Sequence, residues 1–545
     1  MLAAELLQYI VNDAMQNGLL HAPIPYYNND FPVVQYADDT ILIMQADINQ
    51  VVHLKQLLAQ FTESTGLKVN YHKSSMIPIN VLNSKMDELA SAFGCQVATM
   101  PFTYLGLPMG TTKPKMEDLT PLMDRVERKL VSCSNYLSYS GRLQMINSAI
   151  SPITTYAMCS IKLPVGVIEN IDRIRRQCLW RGNDATKKGG NLAAWHMVQK
   201  PKSKGGLGVI NLRLQNDALL LKHLHKFYAK KDIPWANMIW TKYYLRKVPH
   251  ASSEVGSFWW KDVLRLNTLY RGIAKCTIGD GSTITFWEDL WTDEILASKY
   301  PIIFSFTKNR NISVKEIMGA EDLDSLFHLP LSIPAMEELI YLQYDLASFP
   351  YNADSMDTWT LIWGNQVYTT CRYYHSVYQN LQASPIYRLL WKSKCTPRIK
   401  FFAWLMLVDR LNTKSMLVRR HFNVQPNAFC VMCTSATQED ADHLFFSCSF
   451  ATACWNKLGI NWSNTLGICD RLLTARQSHA LPFFLEIFFI ASWELWNLRN
   501  AKKFDSASPT LQQWLHNFKH QAHLQLLRVR EIDRPTIAQW IDSIM

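Results

Sequence analysis

Residues 33–44 read VVQYADDTILIM, and this stretch is the most informative part of the first hundred residues. Apolar runs flank the adjacent carboxylates Asp38 and Asp39 on both sides. The pattern predicts a β-hairpin whose tight turn carries both aspartates. Paired carboxylates suit Mg²⁺, which prefers hard oxygen ligands, and therefore suit two-metal phosphoryl transfer. The alternative is a solvated turn without chemistry, because aspartate is a common turn residue.

The segments that follow the hairpin predict an α+β region. Amphipathic helices are expected near 47–64 and 83–94, and each precedes a segment that contains glycine. These two segments read GLKVNYHKS at 66–74 and YLGLPMG at 104–110. A helical pattern of apolar residues then runs from 116 to 180. The N-terminal part is therefore expected to mix helices with short strands before the chain becomes helical.

In this order and at these spacings, the segments resemble the reverse transcriptase of plant-type LINE (non-LTR) retrotransposons. Residues 36–39 match that family's Y/F-A-D-D catalytic hairpin. Residues 66–74 match the segment after its palm helix, and residues 104–110 match its primer-grip turn. The resemblance implies a partial polymerase palm over 1–112 in an α+β, multidomain chain. It also implies a helical thumb and a basic helical connection over 113–250.

The resemblance implies the chemistry of the full element, which is RNA-directed DNA synthesis with Mg²⁺. Asp38 would be a metal ligand, Asp39 its partner carboxylate, and Lys73 a charge contact near the nucleotide phosphates. An RNA template, a DNA primer and deoxynucleotides would be the partners. In the family, two motifs that include another metal-binding aspartate precede the hairpin, and residues 2–10 look like the helix just after them. We therefore expect this chain to be inactive as a polymerase on its own, because two metal ions need a carboxylate that bridges them.

The charge of the chain is uneven, which bears on its partners. The net charge is +11, and residues 113–247 hold 24 Lys or Arg against 9 Asp or Glu. Residues 316–371 hold 9 Asp or Glu and no Lys or Arg. The basic block predicts a polyanion-binding face, and the acidic block a spacer or separate surface; the alternative is ordinary solvated helix faces. A nucleic-acid-binding module without catalysis and a non-functional relic of a transposable element are the alternatives to a polymerase.

Composition limits the class of protein further. The 545 residues, with 48% apolar content, can bury cores for roughly three or four domains. Twelve scattered cysteines indicate an intracellular, reducing compartment, and the family resemblance implies the nucleus. Met1 leads into a helix with acidic residues, so we expect no signal peptide. The apolar stretch 481–490 is interrupted by Glu486 and predicts a buried helix without a membrane span.

Two segments of the basic block carry candidate nucleic-acid contacts. Residues 139–148 look like the family's thumb helix, in which Arg142 would face a phosphate. A helix-capping or core-lining arginine is an equal alternative there. The glycine-rich loop 200–208 would present Lys202 and Lys204 to phosphate, although such loops are also common without a ligand.

A connecting region is expected over 251–370. Residues 277–282 read TIGDGS, which predicts a hairpin with a Gly-Asp-Gly turn. Trp287 and Trp291 follow, and we expect them to be core or interface anchors. The acidic spacer at 316–371 would connect two lobes, with a helix starting near Pro334.

A second group of residues has the spacing of metal ligands. Cys430 and Cys433 form a CxxC pair, and His443 and Cys448 follow after nine and four intervening residues. Three thiols and one imidazole suit tetrahedral Zn²⁺, and a closed set of four ligands indicates a structural site. Cys454 is a core residue or a substitute ligand.

The region 371–460 resembles the reverse-transcriptase zinc-binding domain of the same elements. The supporting residues are LWKSKCTPRIKFFAW at 390–404 and HLFFSC at 443–448. Trp493 lies in the family's closing helix, within a helical region expected over 461–545. Basic and aromatic side chains alternate before the zinc ligands, and they would bind single-stranded nucleic acid or form a basic helix face over an aromatic core. The basic residues are Lys392, Lys394, Arg398 and Lys400, and the aromatic ones are Trp391, Phe401 and Phe402.

Overall fold

The protein folds as two compact units, residues 1–114 and 115–545. The computed structural model describes residues 2–23, 33–131, 136–182, 190–244, 248–249, 256–349, 351, 354–364, 367–463, 466–479, 481 and 483–544. Helices predominate, and the described strands pair two by two. The multidomain α+β class predicted from the sequence therefore holds at this coarse level, while the finer boundaries and the palm and thumb stay predictions.

The first unit contains all but two of the described strands. Strand β1 pairs with β2 and β5 with β6 in antiparallel fashion, and β3 pairs with β4 in parallel. The elements are α1 Leu2–Gln16, β1 Val33–Tyr36, β2 Asp39–Leu42, α2 Ile48–Thr65, β3 Ser75–Met76, α3 Asn83–Phe93, β4 Gln96–Val97, β5 Phe102–Tyr104 and β6 Leu107–Met109.

The predicted β-hairpin is confirmed, but its turn contains only one of the two aspartates, whereas the sequence predicts both there. Tyr36 pairs with Asp39, so Ala37 and Asp38 form a two-residue turn. Ala37 has a φ of 54°, as expected in the turns that match the twist of a hairpin. Asp38 therefore lies in the turn, and Asp39 opens the second strand.

Both amphipathic helices of the first unit lie where the sequence predicts them. Leu54 and Leu58 of α2 are buried against α1, and Met86 and Leu89 of α3 are buried beside Val51. Residues three or four apart share one face of a helix, and this is the face that each helix buries. Both helices end at a glycine in the left-handed conformation, which relieves the strain that a side chain would cause there.

Almost all regular elements of the second unit are helices, and they are joined by loops. Strands β7 and β8 pair in antiparallel fashion. The elements are α4 Thr120–Val131, α5 Tyr139–Met145, α6 Ser151–Ile153, α7 Thr155–Ser160, α8 Val165–Arg181, α9 Trp195–Val198, α10 Leu212–Tyr228, α11 Pro234–Tyr243, α12 Phe258–Leu264, α13 Asn267–Arg271, β7 Ala274–Thr277, α14 Leu296–Lys299, α15 Pro301–Ser305, α16 Val314–Met318, α17 Ile333–Ala347, β8 Thr358–Leu361, α18 Thr370–Ser376, α19 Ile386–Lys392, α20 Pro397–Leu407, α21 Lys414–Arg419, α22 Ser449–Lys457, α23 Ile468–Ser478, α24 Phe484–Phe504, α25 Leu511–Leu526 and α26 Arg534–Ser543.

An aromatic core fills the part of this unit between residues 218 and 373. Phe227 of α10 stacks on Trp240 with ring centroids 4.3 Å apart. Trp287 and Trp291 are buried in the same core, which confirms that these tryptophans are anchors. Large rings bury much apolar surface with few rotatable bonds, so they stabilise a unit built from short elements.

The predicted Gly-Asp-Gly hairpin is wrong. Strand β7, which leads into the loop, pairs with β8 some eighty residues later in the chain. The backbone amides of Gly279 and Gly281 instead donate to Asp357 Oδ1, over 2.9 and 2.8 Å. Thr283 donates from its amide and its hydroxyl to Asp357 Oδ2. A buried carboxylate needs such donors, and this need folds the loop around Asp357.

The acidic region is also more than a spacer. Helix α17 buries Ala335, Leu339 and Leu342 in the aromatic core, and β8 completes the β7–β8 pair. Ser332 caps α17 by accepting a hydrogen bond from the amide of Ala335, and Pro334 lies in the first turn, as the sequence predicts. Apolar residues on one face of α17 therefore fix this region within the fold.

The apolar stretch near the C-terminal end forms a buried helix, as predicted. Helix α24 buries Phe488, Phe489 and Ile490. Helix α20 is buried on nearly every side, which is typical of the central helix of a domain. None of the described helices is both long enough and apolar enough to cross a bilayer.

We expect Gly279→Ala to lower the free energy of unfolding by at least about 2 kcal/mol, because overpacking against backbone forces the chain to move. A Cβ atom at Gly279 would lie 2.3 Å from the carbonyl carbon of Met356. Thermal denaturation of the purified chain measures the change. The control is Gly190→Ala, whose Cβ meets nothing within 4 Å. Equal melting temperatures for the two variants would show that the close approach of Gly279 to the Met356 backbone does not exist.

Candidate metal centre and basic surface

The two aspartates of the hairpin are exposed on the first unit. Among the described residues, no third carboxylate, histidine or cysteine lies close enough to complete a metal site with them. Lys73 is exposed in the turn after residue 70, and its backbone amide donates to Asn70. Mg²⁺ binding at Asp38 and Asp39 therefore stays a prediction.

The four predicted zinc ligands come together in the second unit. One ligand atom from each of Cys430, Cys433, His443 and Cys448 lies within 4.8 Å of all the others. The two thiols of Cys430 and Cys448 are 3.9 Å apart, and Cys433 Sγ is 3.3 Å from His443 Nε2. A zinc ion with Zn–S bonds of about 2.3 Å and tetrahedral angles places its sulfur ligands roughly 3.8 Å apart. The donors therefore fit tetrahedral Zn²⁺ in both chemistry and spacing.

Local hydrogen bonds shape the loop that carries the ligands. The amide of Met432 donates to Cys430 Sγ over 3.4 Å, as in the knuckle of a CxxC pair. Asp440 Oδ1 accepts from the amide of His443 over 2.7 Å and so begins the π-helical turn His443–Ser447. The Ser447 hydroxyl lies 3.4 Å from His443 Nδ1, whereas Nε2 faces Cys433. Nε2 is therefore the nitrogen available to the metal.

A hydrogen bond between two of the thiols shifts the pKa values of both. Cys430 donates a hydrogen bond to Cys448, which raises the pKa of Cys430 and lowers the pKa of Cys448. Metal ligation requires thiolates, so zinc binding would release protons from this cluster.

Cys454 is a core residue, and the alternative that it replaces a ligand is wrong. Its side chain is fully buried in α22, outside the ligand cluster, and burial raises the pKa of its thiol. The adjacent Trp455 donates from Nε1 to the carbonyl of Phe445 over 2.6 Å and stacks on Phe488. Trp455 thus joins the turn that carries His443 to helix α24.

A buried ion pair supports the metal centre, and sequence reasoning missed it. Arg499 of α24 donates from Nε to Glu439 Oε1 over 3.1 Å, and from Nη2 to the same oxygen. The side chains of Glu439 and Arg499 are 0% and 3% exposed. Glu439 Oε1 also accepts from the amide of Lys414, and Glu439 Oε2 accepts from that of Val431. The pair therefore attaches the ligand loop to two helices.

The sequence gives no local pattern that predicts the pairing of Glu439 with Arg499. Glu439 lies between the two halves of the ligand set, in a stretch that looks like a polar loop. Arg499 follows the tryptophans of the closing helix at a position that looks solvated. Neither residue type is normally buried unless it is paired, and pairing between residues sixty positions apart is a tertiary property.

The loop at 200–208 is bonded into the second unit. Lys204 Nζ donates to the carbonyls of Gln379 and Leu381 over 3.0 and 2.7 Å. Lys202 Nζ lies 4.9 Å from the centre of the Trp391 ring. Both ammonium groups therefore have partners within the protein, which favours a structural role for the loop.

The predicted basic and aromatic segment forms a basic helix face over an aromatic core. Phe401 and Phe402 are each only 4% exposed, so they cannot stack on bases. Lys400 Nζ donates to the carbonyl of Trp391 over 2.9 Å, and burial lowers its pKa. Lys392, Lys394 and Arg398 are exposed, with the Arg398 guanidinium 5.1 Å from the centre of the Trp493 ring.

Arg142 lies in the interior, as the core-lining alternative predicts. The residue is 9% exposed, and its guanidinium lies 5.7 Å from the centre of the Tyr139 ring. Helix α5 carries it against α8 and α20. A phosphate of a bound duplex would have little access to this guanidinium.

Comparison with known proteins adds two findings. Residues 368–455 match the family described as zinc-binding in reverse transcriptase, and this range contains all four ligands. A protein of Arabidopsis thaliana named "Putative ribonuclease H protein" is 24% identical over an alignment of 349 residues, and the alignment covers 58% of this chain. The chain spans about half the length of that relative. Residues 368–455 are therefore similar to the zinc-binding region of reverse transcriptases.

We expect the purified chain to carry one Zn²⁺, measured by elemental analysis after gel filtration. Cys448→Ala removes one of four ligands and should abolish zinc retention and expose residues 428–448 to protease, because metal binding replaces a core there. Cys454→Ala is the control, since it removes a nearby buried thiol outside the cluster. Loss of zinc in both variants, or in neither, would contradict the four-ligand assignment.

We expect Arg499→Ala to destabilise the second unit by about 3–5 kcal/mol, because Glu439 would stay buried without a counter-charge. Replacing both residues, with Glu439→Gln and Arg499→Met together, should cost much less. Arg419→Ala removes an ion pair whose side chains are 52% and 44% exposed, and should change stability by at most about 1 kcal/mol. Chemical denaturation of the zinc-loaded chain measures all three variants.

Proposed function

We propose that this chain is part of a retrotransposon-derived reverse transcriptase of the LINE type, and that its second unit binds nucleic acid around a structural zinc site. The observation that carries the proposal is the Cys₃His cluster, which lies inside the region that matches zinc-binding in reverse transcriptase. A hairpin with two exposed aspartates in the first unit supports the polymerase part of the proposal.

Cys430, Cys433, His443 and Cys448 would hold Zn²⁺, and the bound ion would fix a loop that has few apolar contacts of its own. Trp455 connects the turn at His443 to α24, and Glu439 connects the ligand loop to the same helix. The zinc site has four protein ligands, so it is closed to substrate.

Nucleic acid would contact the exposed basic side chains of the second unit. Lys392, Lys394 and Arg398 are exposed beside the zinc-binding region, and the net charge of the chain is +11. Neutralising phosphates releases counterions, so such binding falls steeply with salt. RNA template and DNA primer are the partners that the polymerase resemblance suggests.

The first unit supplies part of a polymerase site. In the proposal Asp38 is a Mg²⁺ ligand, Asp39 its partner carboxylate and Lys73 a contact to nucleotide phosphate. Two-metal transfer needs a carboxylate that bridges both ions, and the described residues bring no third carboxylate to the hairpin. We therefore propose that this polypeptide binds nucleic acid without synthesising DNA on its own.

Primer extension on poly(rA)/oligo(dT) with Mg²⁺ tests catalysis. We expect no incorporation of deoxynucleotide by the zinc-loaded chain. The matched control is the double variant Asp38→Ala, Asp39→Ala, whose incorporation defines the background. Incorporation by the parent chain that is lost in the double variant would contradict the proposed inactivity and would support Asp38 and Asp39 as catalytic ligands.

The same samples test nucleic-acid binding by fluorescence anisotropy with single-stranded RNA and DNA. We expect affinity to fall with rising salt, with a slope of log K against log salt near −0.7 per phosphate contact. The double variant Lys392→Ala, Lys394→Ala should lose about two phosphate contacts, so its slope should be less steep by about 1.4. Absence of binding at low salt by the zinc-loaded chain would contradict the binding proposal.

A further inference from the structure

Helices α24, α25 and α26 enclose a cavity of about 350 Å³ in the second unit. Its walls are mostly apolar, with Ile487 and Ile490 from α24, Phe518 and Ala522 from α25, and Ile537 from α26. Protein pockets for small molecules begin at roughly this size and share this apolar lining. The residues that line the cavity include none of the zinc ligands.

Gln525 gives this cavity a polar feature that folding does not explain. The residue lines the cavity and is 4% exposed. Neither its amide oxygen nor its amide nitrogen has a hydrogen-bond partner among the described residues. A buried amide without partners is costly, because it loses its hydrogen bonds to water. Such a group is readily understood if a ligand supplies both an acceptor and a donor.

The mouth of the cavity carries basic side chains. Lys392 and Lys394 line the cavity and are exposed. The acidic residues that line the cavity, Glu486 and Asp533, accept hydrogen bonds within the protein. Glu486 accepts from the amide of Lys394, and Asp533 accepts from Arg530 over 2.9 Å.

Aromatic rings form a further part of the wall. Trp540 and Phe483 both line the cavity and pack edge to face, with ring centroids 5.5 Å apart. Flat ligands gain by contact with such rings, and nucleobases do so with little regard to sequence.

We propose that this cavity receives one unpaired nucleobase of a single-stranded nucleic acid, with adenine preferred. The Gln525 amide pairs with the polar edge of the base, because an amide of this kind forms two hydrogen bonds with N6 and N7 of adenine. The ring lies against Trp540 and the apolar wall, and the flanking phosphates lie against Lys392 and Lys394. This inference rests on the proposed nucleic-acid binding and names the base-binding part of that surface.

Other occupants fit the cavity less well. A lipid tail or an aliphatic side chain would fill the apolar volume and leave both Gln525 amide atoms without partners. A free phosphate would suit the lysines and leave the apolar wall uncovered. A nucleotide within a strand carries all three features, namely a flat ring, an edge with donor and acceptor, and a phosphate.

The test compares Gln525→Leu with Gln513→Leu, an exposed residue on the same helix. Binding of labelled rA₁₂, rU₁₂ and dA₁₂ to the full zinc-loaded chain is measured by anisotropy. We expect Gln525→Leu to weaken rA₁₂ binding about tenfold or more and to reduce the preference over rU₁₂, while Gln513→Leu leaves both unchanged. Comparison of rA₁₂ with dA₁₂ shows whether the strand is RNA or DNA.

A second measurement separates lost recognition from lost folding. Gln525→Leu removes the unpaired amide from an apolar site, so the melting temperature without nucleic acid should rise or stay constant while binding weakens. Equal affinity of Gln525→Leu and the parent chain for rA₁₂ would overturn the base pocket and leave the proposed function standing. Absence of oligonucleotide binding by the parent chain would overturn both. An apolar dye bound in the cavity that rA₁₂ fails to displace would also overturn the pocket.

Discussion

The buried ion pair between Glu439 and Arg499 constrains how the loop of metal ligands lies against α24 in the second unit. It joins the loop of metal ligands to α24, and α24 in turn packs against α20 and α25. The pair is costly to bury, and it persists because backbone amides satisfy the remaining acceptor sites of Glu439. The ion pair holds one side of the ligand loop, and a bound metal ion would hold the other. The loop needs both because it has few apolar contacts of its own.

The same physical constraint recurs at Asp357 and Asp289, which are buried carboxylates surrounded by donors. Asp357 accepts from the amides of Gly279 and Gly281, and Asp289 accepts from Thr285 and Arg271. In each case a buried charge determines the path of a loop, because every acceptor must find a donor once water is excluded. Buried acidic residues of the connecting region therefore fix the path of its loops.

Several basic side chains are buried or bonded within the protein, so they do not contribute to a surface that could bind a polyanion. Arg142 and Arg175 are buried, and Lys204 binds backbone carbonyls. The polyanion-binding face that we propose is consequently smaller than the count of lysines and arginines suggests, and it consists of the exposed side chains near Lys392 and Lys394. This is also where the cavity at Gln525 opens, so charge and the unpaired amide point to one part of the second unit.

Features that depend on neighbours in the chain follow from the sequence alone. These are the hairpin at Asp38, the amphipathic helices of the first unit, the buried helix α24 and the four zinc ligands, whose spacing is set by local geometry. Which charges are buried, and which groups they contact, depends on the tertiary structure. The path of the loop at Gly279, the Glu439–Arg499 pair and the cavity at Gln525 each join residues that are distant in sequence. Periodicity and spacing describe one segment at a time, whereas burial depends on which segments pack together.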